Sequence, residues 1–313
     1  MMSHIKINCL LAIAAIVCVY NPLLAAEVSI QYKGLTLNAD YQLAAGKNAG
    51  DGVVLMTHGA LAHRDLESMA YIRQLLIGKG HNILAINLSL GLNNRHGMYD
   101  CSITHRHKNS DAIDEINQWL IWLQSKDVKD VSLLGHSRGA AQTALYSAVH
   151  KNPIVKRLVL MAPAVKENSS SQSYQQRFKL PLSALLQQAR QHVAAKNTQG
   201  VLRHLGLMSC RDSSATAESF LSYYDQNPAL DTAALLSKIN LPTLIVVAGN
   251  DKVVIALDKK VAHLVDDESI KMVVIEGADH MFRDLNADDA VDYIDDFLQI
   301  SNPMSTTLLT HKG

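Results

Sequence analysis

Five consecutive residues, Gly135-His136-Ser137-Arg138-Gly139, place a serine between glycines two positions before it and two after. Patterns of this kind are common by chance, and the pentapeptide alone is an ordinary glycine-rich turn. Its setting changes that reading. Val131–Leu134 before it is an apolar run suited to a buried strand, and a small-residue helix follows from Ala140. A serine at the apex of so tight a strand-to-helix turn needs small residues on both sides, and here both are glycine. Such a turn lifts the hydroxyl to the carboxyl edge of a sheet, over a helix N-terminus that favours negative charge. Ser137 is therefore the candidate nucleophile.

A serine hydroxyl is weak without a base, and the base needs an orienting carboxylate. Of 14 histidines, His280 in Gly277-Ala278-Asp279-His280-Met281 stands out because its loop follows the last buried strand. Asp251 follows the strand Thr243–Val247 through Ala248-Gly249-Asn250, again at the carboxyl edge. The competing acids are Asp279, Asp225 and Glu167. Asp279 is poorly placed, because adjacent side chains on an extended loop diverge. Backbone N–H groups must also point to where negative charge develops on a reacting carbonyl. Arg138 supplies one, and the loop His58-Gly59-Ala60-Leu61 supplies the other, from Ala60. His58 and His136 flank the site and could hydrogen-bond within it.

These residues need elements that bring them to one edge. Val28–Tyr32 and Leu35–Leu43, joined at Gly34, alternate like an antiparallel hairpin. Val53–Met56, Ile83–Ile86, Val131–Leu134 and Leu158–Met161 are unbroken apolar runs, as in strands buried on both faces. Between them, Leu66–Ile77, Ala112–Leu123 and Ala140–Val149 read as helices. The strand–helix pattern pauses from about Val165 to Lys238. It resumes at Thr243–Val247, runs through Ile255–Leu264 and Lys271–Ile275, and ends in a helix over Ala287–Leu298. This alternation predicts a mainly parallel, doubly wound α/β sheet with an antiparallel N-terminal hairpin. The stretch 165–238 is polar but holds two helical segments, Leu182–Ala195 and Ala217–Tyr224. They mark it as a helical cap insertion over one edge of the sheet, not a disordered loop. The core is then 27–164 and 239–300, with 301–313 a C-terminal tail.

The first 26 residues read as a signal peptide. His4 and Lys6 precede an apolar run from Ile7 to Val19, Asn21-Pro22 breaks it, and Leu23-Leu24-Ala25-Ala26 ends in small residues. Cleavage is expected after Ala26, with Ala25 the alternative, giving a periplasmic or secreted protein with no stable membrane anchor. A retained anchor is the competing reading, though the run is short of the roughly 20 residues a span needs. Cys18 follows Ile16-Val17, not the small residues of a lipidation site. Removing the segment takes Cys9 and Cys18 with it and leaves two cysteines, Cys101 and Cys210. In an oxidising compartment they are expected to pair and pin the cap to the core; two free thiols are the alternative. Lys+Arg and Asp+Glu are each 29, with no basic block, which argues against nucleic acid or an anionic membrane surface as partner. The segment Arg95–His107, with His96, Asp100, Cys101, His105 and His107, fits no common zinc spacing. It reads as a solvated or cleft-lining loop, so no metal is expected.

Taken together, the apolar strand ending in His58-Gly59-Ala60, then Gly135-His136-Ser137-Arg138-Gly139, Gly249-Asn250-Asp251 and Gly277-Ala278-Asp279-His280 resemble the α/β-hydrolase superfamily. The resemblance runs from about Val53 to Leu298, with 165–238 where that superfamily carries its cap. It implies Ser137, Asp251 and His280 as nucleophile, acid and base, in the chain order of that fold, and Ala60 and Arg138 as oxyanion donors. The oxyanion loop departs from the HGGG-type esterases in lacking their Gly-Gly run and looks like the compact HG-x type. A serine nucleophile disfavours the dehalogenase and epoxide-hydrolase branches, which use aspartate. The implied activity is hydrolysis of a small-molecule carboxylic ester or thioester through an acyl-enzyme, with no cofactor. A peptidase of the same fold and a catalytically silent binding or scaffold protein remain open, because the fold alone names no substrate. The insertion is poor in aromatics, so no long apolar tunnel is expected, although Leu182, Leu185, Leu186 and Val193 could line one.

Overall fold

A computed structural model describes residues 26–166, 170–225, 231–266 and 268–299. The expected signal peptide, apart from Ala26, and the C-terminal tail lie outside the described residues. The first half of the chain runs β1 (Ala26–Tyr32), β2 (Leu35–Gln42), β3 (Val53–Thr57), α1 (Glu67–Gly78), β4 (Ile83–Asn87), α2 (Asp111–Gln124), β5 (Val131–His136), α3 (Arg138–Val149) and β6 (Val155–Met161). The insertion contains α4 (Ser171–Phe178), α5 (Leu182–Ala194), β7 (Val201–Leu207), β8 (Cys210–Thr216) and α6 (Ala217–Tyr224). After it come α7 (Thr232–Leu236), β9 (Thr243–Ala248), α8 (Leu257–Val261), β10 (Ile270–Ile275) and α9 (Leu285–Gln299).

Eight strands form one sheet in the order β1-β2-β4-β3-β5-β6-β9-β10. Every neighbouring pair from β4 to β10 is parallel, and the two pairs at the β1 edge are antiparallel. Lys33 and Gly34 both adopt positive φ, 47° and 79°, the two-residue turn that matches the twist of a hairpin. The unbroken apolar strands follow from burial on both faces. Leu55, Leu84, Leu133, Leu158 and Ile245 enter one core layer with Trp119 of α2 and Tyr146 of α3. Their neighbours Met56, Ala85, Leu134, Val159 and Val246 enter the other, against Ile72 and Leu76 of α1 and Ile294 and Phe297 of α9. Every parallel strand therefore presents its carboxyl end to the same edge, where the candidate residues sit.

The two helical segments read from the sequence of the insertion are present, as α5 and α6. The helix α4 and the antiparallel β7–β8 hairpin are additions. Sequence periodicity hid the hairpin because its register slips at Leu202/Leu205 and again at Leu205/Leu207, and because β8 reads Cys-Arg-Asp-Ser-Ser-Ala-Thr with hardly an apolar alternation. Tyr174, Leu186, Leu205, Phe220 and Tyr224 pack the insertion from within and continue the core layer of α2 and α3. Cys101 and Cys210 are joined by a disulfide with Cα atoms 5.5 Å apart. His105 bridges to Ala215, its N–H donating to the Ser214 carbonyl at 2.8 Å and its carbonyl accepting from Thr216 N–H at 2.9 Å.

Candidate active site

Ser137 sits between β5 and α3 with φ 56° and ψ −120°, a backbone state costly for any residue with a side chain. The chain can hold it there because nothing larger than hydrogen occupies positions 135 and 139. A Cβ on Gly135 would lie 2.5 Å from the Cα of Ala140, and one on Gly139 would overlap the carbonyl oxygens of Thr57 and His58. Hydrogen bonds fix the strained residue. Ser137 N–H donates to Met161 O at 2.8 Å, and its carbonyl accepts from Ala164 N–H at 3.1 Å.

His280 Nε2 lies 2.9 Å from Ser137 Oγ, and His280 Nδ1 lies 2.8 Å from Asp251 Oδ2. The other carboxylate oxygen, Oδ1, accepts the N–H groups of Val253 at 2.6 Å and Val254 at 2.9 Å. Asn250 N–H donates to Ala278 O at 2.8 Å, which ties the acid's loop to the histidine's loop. Asp251 is buried, its side chain 4% exposed. Burial alone would push its carboxyl up, but the hydrogen bonds from His280, Val253 and Val254 outweigh it and hold the group below its ordinary range. The carboxylate thus stays ionised where it can accept the Nδ1 proton, leaving Nε2 unprotonated and facing the serine hydroxyl. The rival acids point elsewhere. Asp279 accepts from Met281 N–H and pairs with Arg283, each at 2.9 Å, and Asp225 pairs with Arg190 at 2.6 Å. Glu167 lies outside the described residues.

His136 and His58 both enter the site's framework. His136 is buried, and burial, reinforced by the nearby His280, pushes it down to about 4. Neutral at ordinary pH, it donates from Nε2 to the His280 carbonyl at 2.8 Å. His58, pushed down to about 3 mainly by burial, donates from Nδ1 to the Gly59 carbonyl at 2.8 Å. Its Nε2 accepts from Leu88 N–H at 3.0 Å and from Arg95 Nη2 at 3.1 Å. Turning the Gly59 carbonyl toward His58 aims the Ala60 N–H to the opposite side, since a trans peptide holds its C=O and N–H antiparallel. The loop passes close to the serine: a Cβ on Gly59 would lie 3.3 Å from Ser137 Cβ. Arg138 opens α3, where its N–H has no intrahelical acceptor. Ala60 and Arg138 both border the same cavity as Ser137.

That cavity measures about 290 Å³. Its outer wall comes from the insertion: Tyr174 and Phe178 of α4, Met208 between β7 and β8, and Tyr224 of α6. Leu182, Leu185, Leu186 and Val193 do not border it; Leu182 and Leu186 are buried within the insertion instead. The aromatic wall is readable in part, since Tyr174 and Phe178 share a face at i, i+4 spacing, but nothing local shows that this face meets Ser137.

The segment Arg95–His107, expected as a solvated or cleft-lining loop, is at least partly exposed over most of its length and Met98 borders the cavity, but four of its side chains, Arg95, Tyr99, His105 and His107, turn inward. His105 and His107 are buried under β8 and α6, while Arg95 is buried against His58, Asn87 and the Leu88 carbonyl at the end of β4. His107 Nδ1 is 2.7 Å from Tyr223 Oη, and its Nε2 is 3.1 Å from His105 Nδ1. Tyr99 stacks on His105 with centroids 4.3 Å apart. Burial pushes His105 down to about 4 and His107 to about 3. Of the three histidines in this segment, only His96 is at the surface, 2.8 Å from Glu27. Among the described residues, no group of three or more His, Cys, Asp or Glu side chains could hold a metal ion.

Comparison with known proteins bears on the family and the fold. The family model described as serine aminopeptidase, S33 matches residues 50–284. The chain is similar to the esterase Est1E of Butyrivibrio proteoclasticus in its ferulic-acid complex, at 17% identity and TM-score 0.62, over 87% of this chain and 97% of that one. It is likewise similar to the α/β hydrolase GrgF of a Penicillium species, at 14% identity and TM-score 0.63, over 88% and 97% of the two chains. The Pyrococcus furiosus esterase Pf2001 aligns at 16% identity and TM-score 0.58, over 88% and 90%. At these identities the likeness is one of fold. No curated protein matches the sequence. The match over residues 50–284, on a mainly parallel sheet with the strand order described, places this chain in the serine aminopeptidase S33 family of α/β hydrolases.

Proposed function

We propose that this protein is an exported serine hydrolase that cleaves a carboxylic ester or thioester through an acyl-enzyme on Ser137. The observation that carries the reading is the continuous chain from Ser137 Oγ to His280 Nε2 at 2.9 Å and from His280 Nδ1 to Asp251 at 2.8 Å, opening into a cavity. As Ser137 Oγ attacks the carbonyl carbon, its proton passes to His280 Nε2. The carbonyl π pair moves onto oxygen, where the N–H groups of Ala60 and Arg138 receive the charge. Asp251 stabilises the imidazolium without taking its proton. Collapse of the tetrahedral intermediate breaks the bond to the leaving group, which takes the His280 proton and departs as alcohol or thiol. Water then attacks the acyl-enzyme, giving its proton to His280; Ser137 leaves with that proton and the acid is released. Export is supported by the leader-like order of residues 1–26.

The family's name includes aminopeptidases, but the cavity speaks against that branch here. Among the described residues bordering it there is no Asp or Glu to meet a peptide's α-ammonium group. The test is labelling with a fluorophosphonate probe, followed by turnover of p-nitrophenyl esters and acyl-thioesters of rising chain length. Wild type should be labelled and should turn over short substrates, and Ser137→Ala should do neither. An unlabelled wild type, or equal labelling of Ser137→Ala, would overturn the reading. Fractionation of the host cell tests export: accumulation of uncleaved chain in the cytoplasm would overturn that part alone.

A further inference from the structure

Two arginines border the cavity that holds Ser137, and neither has an ion-pair partner among the described residues. Of the nine other arginines, Arg64, Arg73, Arg157, Arg190 and Arg283 each pair with a carboxylate, and none of the nine borders this cavity. Arg138, next to the serine, lies with its guanidinium carbon 5.4 Å from the Tyr223 ring centroid. Tyr223 is buried, and its hydroxyl is held by His107, which is held in turn by His105. The ring beneath Arg138 is therefore a fixed platform. Arg177, in the last turn of α4, lies with its guanidinium carbon 5.4 Å from the Phe178 ring centroid. Stacking on a ring satisfies the flat face of a guanidinium but leaves its edge donors free, and those donors match a carboxylate in geometry.

The rest of the lining is apolar or neutral, including Phe178, Met208, Tyr224, Val253 and Met281, with no Asp or Glu among the described lining residues. A cleft with one sign of charge and low-dielectric walls concentrates ligands of the opposite sign. We infer that the substrate carries an anionic group, a carboxylate or its equivalent, which the guanidinium groups of Arg138 and Arg177 hold across the apolar cavity while Ser137 meets the ester carbonyl. This rests on the hydrolase reading above and narrows it to esters of small dicarboxylic or similarly charged acids. A cavity of about 290 Å³ is at the small end of ligand sites and suits such a molecule.

The experiment compares two p-nitrophenyl esters of equal chain length, the hemiglutarate and the pentanoate, which differ in one terminal carboxylate. Each kcat/KM is divided by the ester's own hydroxide-catalysed rate. The wild-type ratio, anionic over neutral, should be about tenfold, the scale of a charge-assisted hydrogen bond, and should fall as salt is added. Arg177→Gln should bring the ratio toward one, Arg177→Lys should keep part of it, and Arg177→Glu should invert it. A second arm needs no turnover: monomethyl glutarate is titrated by calorimetry into Ser137→Ala, with and without Arg177→Gln. Binding that Arg177→Gln weakens about tenfold supports the anion site even if no ester is hydrolysed, in which case the hydrolase reading alone fails. A wild-type ratio at or below one, a ratio indifferent to Arg177→Gln and Arg177→Glu, or no binding in the calorimeter overturns the inference.

Discussion

His58, His105, His107 and His136 are buried, and burial depresses them to about 3, 4, 3 and 4 respectively. In the unfolded chain each returns to the ordinary value near 6.5. Stability that depends on keeping them neutral is thus complete above about pH 6.5 and is lost as the pH falls toward 4, because only the unfolded state takes up the protons. Between pH 7 and pH 5 each contributes about 2 kcal/mol of loss, so the four together amount to about 8 kcal/mol. Glu115 opposes them. Burial raises it to about 7, so the folded state binds its proton first and gains about 2 kcal/mol over the same interval. The histidines win, and the net loss is roughly 6 kcal/mol, a large part of the 5–15 kcal/mol typical of a folded domain. Scanning calorimetry at pH 7, 6 and 5 should show the melting temperature falling by about 10–20 °C. In His107→Gln, urea titrations should show a shallower dependence of stability on pH by about one proton in four. A melting temperature that is flat or rises on acidification would refute the reasoning, because it would mean these rings are hydrated or paired with acids.

Three further outcomes follow from the same geometry. Replacing Asp251 with Asn should lower kcat by about 10³–10⁴ at unchanged far-ultraviolet circular dichroism, since the amide can favour the wrong His280 tautomer; a loss under tenfold would remove Asp251 from the role. Reducing Cys101–Cys210 opens a loop spanning 109 residues, worth about 4–5 kcal/mol in chain entropy. Melting with and without reductant measures it, and alkylation of both cysteines in unreduced protein would contradict the bond. Gly139→Ala should cost about 3 kcal/mol and slow fluorophosphonate labelling, because its methyl displaces the backbone of Thr57 and His58 beside the oxyanion loop; unchanged urea midpoint and labelling rate would show that this turn has slack.

Ser137, His280 and Asp251 are legible in the sequence because each follows an apolar strand, and parallel strands must end at one edge. Local spacing thus locates three side chains that the fold brings within hydrogen-bond distance. The same logic points to Gly135 and Gly139, where a tight turn leaves no room for a Cβ. It fails where residues are governed by what lies across them. His105 and His107 sit in a segment that reads as a solvated or cleft-lining loop, yet these two side chains are buried under β8 and α6. The β7–β8 hairpin leaves no periodic trace because its register slips twice.

Strand periodicity and steric limits at a turn act over a few neighbours. The order of residues along the chain is therefore enough to specify the layered sheet, the turn at Ser137 and the sequence of residues around it. Long-range packing chose the rest: which wall of the insertion faces the serine, that Arg138 and Arg177 share its cavity, and that four histidines are kept neutral. Those outcomes depend on desolvation and on contacts between segments far apart in the chain, such as His107 with Tyr223 and His136 with His280, and no local pattern of residue types encodes either.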